Sequence, residues 1–220
     1  MKVGILLFPG VTALDAIGPY EVLTRVPDWQ ITFVAAEPGP QETDSGVTAI
    51  TAEASFADLQ TADILLVPGG PGSRTAMTDE TTLDWLRSIS KGTAWTTSVC
   101  TGSLVLAAAG LLSGRRATTH WLYLEQLREM GCQPVQERVV ADGKFITAAG
   151  VSAGIDMALT LVAEACDRRL AEAIQLAIEY DPQPPFDSGS PSSASPESVE
   201  LVTGLAATRD SWLAGRLNRD

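Results

Sequence analysis

Ala94-Trp95-Thr96-Thr97-Ser98-Val99-Cys100-Thr101-Gly102-Ser103-Leu104-Val105-Leu106-Ala107-Ala108-Ala109-Gly110 is the stretch on which the fold turns. Ala94 to Val99 is a short run rich in β-branched residues, the composition of a strand. From Thr101 to Ala109 small and aliphatic residues follow at helical spacing, and Gly110 supplies a stop. A strand that passes directly into a helix, with one residue at the junction, is half of a strand–helix–strand unit. The same alternation extends on both sides. Upstream, Lys2–Phe8 reads as a strand, Leu14–Val26 as a helix, Gln30–Ala35 as a strand, and Asp63–Val67 as an apolar strand ending in Pro68-Gly69-Gly70-Pro71-Gly72. Asp79–Ser90 follows as a helix with Leu83, Leu86 and Ile89 at helical spacing. Downstream, Thr119–Met130 reads as a helix capped by Thr118 or Thr119 and stopped by Gly131. Val135–Val140 and Lys144–Ala148 flank Asp142-Gly143 as a hairpin. Ser152–Ala165 and Asp167–Tyr180 are two further helices, each opened by a capping residue. Strands apolar on both faces, alternating with helices, predict a mostly parallel sheet covered on both sides: a three-layer α/β/α sandwich.

The chain has 220 residues, 45% hydrophobic and 19% charged, which is the composition of an ordinary soluble globule. No run approaches 18 consecutive apolar residues, so no membrane association is expected. Met1–Phe8 lacks a small-residue cleavage site and flows into Pro9-Gly10, as a first buried strand does. Fifteen basic residues against 27 acidic ones give a formal net charge of −12. Such a field repels nucleic acid, and the expected ligand is a small molecule. Three widely spaced cysteines, Cys100, Cys132 and Cys166, fit neither a disulfide framework nor a CxxC metal site, so the expected compartment is the reducing cytoplasm. Asp181–Pro196 is rich in proline and serine and precedes a last helix of about twenty residues. The expected organisation is one α/β domain over residues 1–180, followed by an arm and helix over 181–220. Phe186 among the prolines favours an ordered arm over a plain linker.

Chemistry concentrates at the strand ends. Cys100 stands at a sharp strand-to-helix turn, where a side chain is lifted off the sheet and the positive end of a helix favours thiolate over thiol. Most free cysteines are merely small buried hydrophobes, but the flanking turn points to a nucleophile. Ligands of parallel sheets bind beyond the carboxyl ends of the strands. There the 68–72 loop would bring the bare amides of Gly70 and Gly72 beside Cys100, able to hold developing negative charge. Asp15, in an apolar segment after the first strand, has the ordinary reading of a helix-start aspartate. Aimed at Cys100 in a dry pocket it would have a raised pKa and could move a proton. His120 is the only histidine in the chain and fits a pocket wall better than a general base. Cys132 and Cys166, at helix ends, read as structural.

These segments together resemble the DJ-1/PfpI superfamily of class I glutamine amidotransferase-like proteins. The residues that match are Leu14-Asp15, Gly18-Pro19, Ser55–Asp58, Pro68-Gly69-Gly70, Thr97–Leu106, Ala117–Trp121, Glu137–Val140, Gly154-Ile155-Asp156 and Pro184-Pro185-Phe186. The resemblance implies a flavodoxin-like sandwich with Cys100 as nucleophile, Asp15 as acid/base and Thr101 as the neighbouring hydroxyl. The backbone amides of Gly70 and Thr101 would be oxyanion donors. Thr101 stands where peptidase-like relatives carry histidine, and Asp15 where many members carry glutamate, so the pattern is most similar to the isocyanide-hydrating branch. That branch implies an isocyanide and water as reactants, no metal or organic cofactor, and a homodimer. Two sensing alternatives stand beside it. Cys100–Trp121 also resembles the sensing domains of AraC-type regulators, and a low-pKa, exposed thiol would suit an oxidation sensor.

Overall fold

A computed structural model describes residues 1–217 and falls into two compact units, the first spanning Met1–Glu179 and the second beginning at Tyr180. In chain order the first unit contains β1 (Lys2–Leu6), α1 (Ala13–Leu23), β2 (Gln30–Ala35), β3 (Gly39–Glu42), β4 (Ala49–Ala52), β5 (Ala54–Ser55) and β6 (Ile64–Val67). It continues with α2 (Ser73–Ala76), α3 (Glu80–Ile89), β7 (Trp95–Val99), α4 (Gly102–Ala108), β8 (Arg116–Ala117) and α5 (Leu124–Glu129). It closes with β9 (Gln133–Pro134), β10 (Val139–Asp142), β11 (Phe145–Ala148), α6 (Ala153–Ala165) and α7 (Arg168–Ala177). The second unit contains α8 (Pro196–Leu217).

The central sheet has seven strands in the order β10-β11-β7-β6-β1-β2-β5, and every pairing is parallel except β10 with β11. β1, β6 and β7 lie in its middle, which is why Val3, Ile5, Leu6, Ile64, Leu65, Leu66 and Val99 are buried without alternation. α1 packs against α6, and α6 lies on β7, β10 and β11; α4 lies on β6 and β7 beside α3 and α5. The result is the expected flavodoxin-like three-layer sandwich.

Several boundaries differ from the sequence expectation. The segment after Thr119 is not one helix: Thr118 and Thr119 are buried outside any helix or strand, a 3-10 turn spans Trp121–Tyr123, and α5 covers only Leu124–Glu129. Thr119 does not cap; its hydroxyl donates to the Cys100 carbonyl at 3.0 Å, a tertiary contact that overrides the local capping preference. The hairpin is shorter than read, beginning at Val139. Asp142 pairs with Phe145, so Gly143 and Lys144 form the two-residue turn, with Gly143 at φ 62°. Ser152 makes no capping bond, whereas Asp167 accepts the Leu170 N–H at 2.8 Å. Residues 181–190 are neither helix nor strand, and Phe186 is 78% exposed.

The loops after β1 and β6 are laced together at the carboxyl edge of the sheet. Thr12 N–H donates to the Gly69 carbonyl at 3.0 Å and Gly72 N–H to the Gly10 carbonyl at 3.1 Å. A Cβ on Gly72 would lie 1.9 Å from the Pro9 carbonyl oxygen, and one on Gly102 would lie 2.0 Å from that of Val67. Gly102→Ala is therefore expected to destabilise the protein by about 2 kcal/mol. Gly189→Ala, where an added Cβ meets nothing within 4 Å, should be neutral. Urea midpoints at constant m-value check both.

Candidate active site

β7 delivers the residue that follows it into an unusual conformation. Cys100 has φ 57°, a left-handed backbone that a non-glycine residue holds only when its surroundings fix it, at a cost of about 1 kcal/mol. Here the backbone is bonded from both sides. Cys100 N–H donates to the carbonyls of Ala148 and Ala149 at 3.2 and 3.0 Å, while its own carbonyl accepts the hydroxyls of Thr119 and Ser103 at 3.0 and 3.2 Å. The sulfur is thereby lifted off the sheet at the start of α4.

Asp15 comes from the first turn of α1 and is 0% exposed. Its Oδ2 accepts the Gly69 N–H at 2.9 Å. Oδ1 has no hydrogen-bond partner, and the Cys100 side chain beside the carboxyl favours its charged form. Gly69 is required for this closeness: a Cβ there would lie 2.5 Å from Thr101 N and 3.0 Å from Asp15 Oδ2. Burial pushes the Asp15 carboxyl up from its ordinary value to about 7. The Gly69 amide and the Cys100 thiol pull the other way, and the carboxylate of Asp44 adds to the rise. Asp44 is held beside α1 by the Thr12 hydroxyl at 2.8 Å.

Cys100 departs from expectation. The sulfur is not an exposed thiolate; the residue is 6% exposed, and burial, reinforced by the charge of Asp15, pushes its thiol up to about 12. The backbone amides of Val151 and Thr101 and the Thr101 hydroxyl all favour the anion, but desolvation outweighs them. The two groups thus form a pair that accommodates one negative charge.

The oxyanion assignment is also redrawn. Gly72 N–H is committed to the Gly10 carbonyl, and Gly70 N–H donates to Thr101 Oγ1 at 3.0 Å. The amides that reach the sulfur are those of Thr101 and Val151. Sequence reasoning missed Gly69 and Val151. Val151, at φ 25°, lies in the loop between β11 and α6. The signal for it is topological: β11 neighbours β7, so the two following loops share one edge. His120 lies over the same loop, its ring filling the space beside Gly150, where an added Cβ would meet Cδ2 at 2.7 Å. The ring stacks on Trp121 with centroids 5.8 Å apart and leans on Tyr123 at 5.9 Å, and Arg74 of α2 reaches the Tyr123 hydroxyl at 3.4 Å. Cys132 is buried and Cys166 exposed, both outside this cluster, and all three cysteines are free thiols. Among the described residues no group of His, Cys, Asp or Glu could hold a metal ion, and no helix is long and apolar enough to cross a membrane.

The DJ-1/PfpI family model matches residues 1–164. The chain is 47% identical over 207 residues to the isonitrile hydratase of Pseudomonas putida, covering 94% of this chain and 90% of that protein. It is 34% identical over 175 residues to the HTH-type transcriptional regulator CdhR of Pseudomonas aeruginosa, where the match takes 76% of this chain and 51% of the regulator. Among solved structures, a ThiJ/PfpI family protein from Pseudomonas syringae superposes with a TM-score of 0.89 at 38% identity, over 96% of this chain and 89% of that one.

The raised carboxyl makes a stability prediction. Between the unfolded carboxylate value of 3.8 and about 7, the folded state holds a proton that the unfolded state has lost, so stability falls as pH rises through this window. Asp15→Asn removes that dependence. Its stability relative to the native protein should grow between pH 4 and pH 7.5, by roughly 4 kcal/mol at most, in urea titrations at both pH values.

Proposed function

The chain belongs to the DJ-1/PfpI family, and from that premise we propose that it hydrates isocyanides to N-substituted formamides through a covalent adduct on Cys100. The observation that carries the reading is the wholly buried Asp15 carboxyl set beside the Cys100 side chain, joined to 47% identity with an isonitrile hydratase over nearly the whole chain. It makes the protein an enzyme, a carbon–oxygen lyase with a cysteine nucleophile.

The terminal carbon of R–N≡C accepts both a nucleophile and a proton. With one negative charge on the pair, the Cys100 proton passes to Asp15 as the sulfur adds to that carbon, and Asp15 delivers it to the same carbon. A C–S bond and a C–H bond form, giving the thioimidate R–N=CH–S–Cys100. Asp15, ionised again, takes a proton from water as the hydroxide adds to the carbon and passes that proton to the imine nitrogen, ending ionised. The tetrahedral R–NH–CH(OH)–S–Cys100 then collapses: the C–S bond breaks, the hydroxyl becomes the formamide carbonyl, and its proton returns the thiol. The sum is R–N≡C plus water giving R–NH–CHO. Every proton is accounted for by the pair and water, so the scheme calls on no cofactor. The amides of Thr101 and Val151 support the sulfur when it is charged, at its departure above all. Gly70 holds the Thr101 hydroxyl, and His120 walls the substrate side.

An oxidation sensor asks for an exposed, readily ionised thiol, and Cys100 is neither. Family membership supports reading the protein as a homodimer, and its three free cysteines suit the cytoplasm.

Conversion of cyclohexyl isocyanide to its formamide, followed by absorbance, tests the reading. Cys100→Ala should abolish turnover, and Asp15→Asn should lower kcat by about 10²–10⁴-fold with the fold intact. Native protein no faster than Cys100→Ala overturns the assignment. A second measurement follows from the shared proton. The reactive state carries one negative charge on the pair, so kcat/KM should rise as pH increases through about 7 and then level off.

A further inference from the structure

Ser73 takes no part in the reaction as written, yet its side chain ends in the site. It is the first residue of α2, 2% exposed, and its hydroxyl donates to Thr101 Oγ1 at 3.0 Å. The same oxygen accepts the Gly70 N–H at 3.0 Å. A hydroxyl oxygen has two lone pairs and one proton. Both lone pairs of Thr101 Oγ1 are therefore occupied by donors, and its proton has to point away from them. In the structure the hydroxyl donates to the Gly70 carbonyl at 3.3 Å, and the other group it acts on is the sulfur of the adjoining Cys100, whose anion it favours. The carbonyl contact is long for a bond between oxygens, and that carbonyl already accepts the Ser73 N–H at 3.0 Å. It loses little if the Thr101 proton turns away. The sulfur gains most when it is charged, because a hydrogen bond to an anion is about twice as strong as a neutral one.

We propose that Ser73 is a positioning residue: with the Gly70 amide on one lone pair of Thr101 Oγ1 and its own hydroxyl on the other, it fixes the Thr101 hydroxyl as a donor to the Cys100 sulfur. Without Ser73 the Thr101 oxygen has an open lone pair, and its rotor is no longer confined to the side of the Gly70 carbonyl and the sulfur. The role rests on the reading that Cys100 reacts as its anion. The titratable group that faces the sulfur is Asp15 from α1, and Asp44, beyond β3, acts on Asp15. Ser73 carries no charge, so its removal alters the donor geometry and leaves these charges in place.

The test reads the sulfur directly. The rate of iodoacetamide labelling at the Cys100 peptide, followed by mass spectrometry to separate it from Cys132 and Cys166, is measured from pH 6 to pH 10. The full chain is used as Ser73→Ala, Thr101→Val and the double variant. Ser73→Ala is expected to slow labelling about tenfold and to move its pH profile upward. It should lower kcat for isocyanide hydration by a similar factor with KM little changed. In the Thr101→Val background, removing Ser73 should have no further effect, because Ser73 acts through that hydroxyl. An unshifted labelling profile, or the same slowing with and without the Thr101 hydroxyl, overturns the proposal. If Ser73→Ala proves poorly folded, Ser73→Thr, which keeps the donor, decides: a native profile supports the role and a shifted one refutes it. Labelling needs no isocyanide, so failure of hydration would not be mistaken for failure of the relay.

Discussion

A carboxyl and a thiol enclosed together away from water can hold one negative charge between them, and this constraint organises the site. Asp15 is wholly buried with one oxygen on the Gly69 amide, the other without a hydrogen-bond partner, and Cys100 beside it. Water would have stabilised two separate anions; the protein supplies a few oriented N–H and O–H groups instead, enough for one. The two groups compete for one proton. A low thiol pKa is not required for this. What matters is that the two groups lie side by side and that groups favouring either ionised form stand beside each.

That arrangement depends on three loops converging at the carboxyl edge of the sheet. β1 leads into the loop and helix that bring Asp15, β6 into the glycine loop that supplies the Gly69 amide, and β7 into the strained turn at Cys100. β11, next to β7, adds the Val151 amide from the loop before α6. The approach is tight enough that a single carbon on Gly69, Gly72 or Gly102 would collide with a neighbour. The left-handed backbone of Cys100 persists because four hydrogen bonds and a parallel sheet over-determine it. The strain directs the sulfur out of the sheet, into line with Asp15.

Much of this was legible in the chain itself. Apolar runs such as Ile64–Val67 have one comfortable environment, the middle of a parallel sheet, and Asp142-Gly143 announced a hairpin. Cys100 could be singled out because a strand meets a helix there. The errors share a cause. Thr119 looks like a helix cap because capping is a local preference, and its actual partner, the Cys100 carbonyl, lies nineteen residues away. Gly72 resembles an oxyanion donor until its amide is found on Gly10, and Gly70's is found on Thr101. Ser73 and Val151 carry no local signal at all, since a serine opening a short helix and a valine in a loop are ordinary.

The sequence by itself determined the three-layer architecture and singled out Cys100 and Asp15 as candidates, because periodicity, glycine turns and residue chemistry are properties of neighbours along the chain. The tertiary structure alone decided the protonation of the pair and the choice of donors. Desolvation depends on everything that surrounds a group, and a hydrogen bond on which distant atom arrives first. The helix dipole and small flanking residues of Cys100 argued for a thiolate; enclosure beside Asp15 pushes the thiol up to about 12 instead.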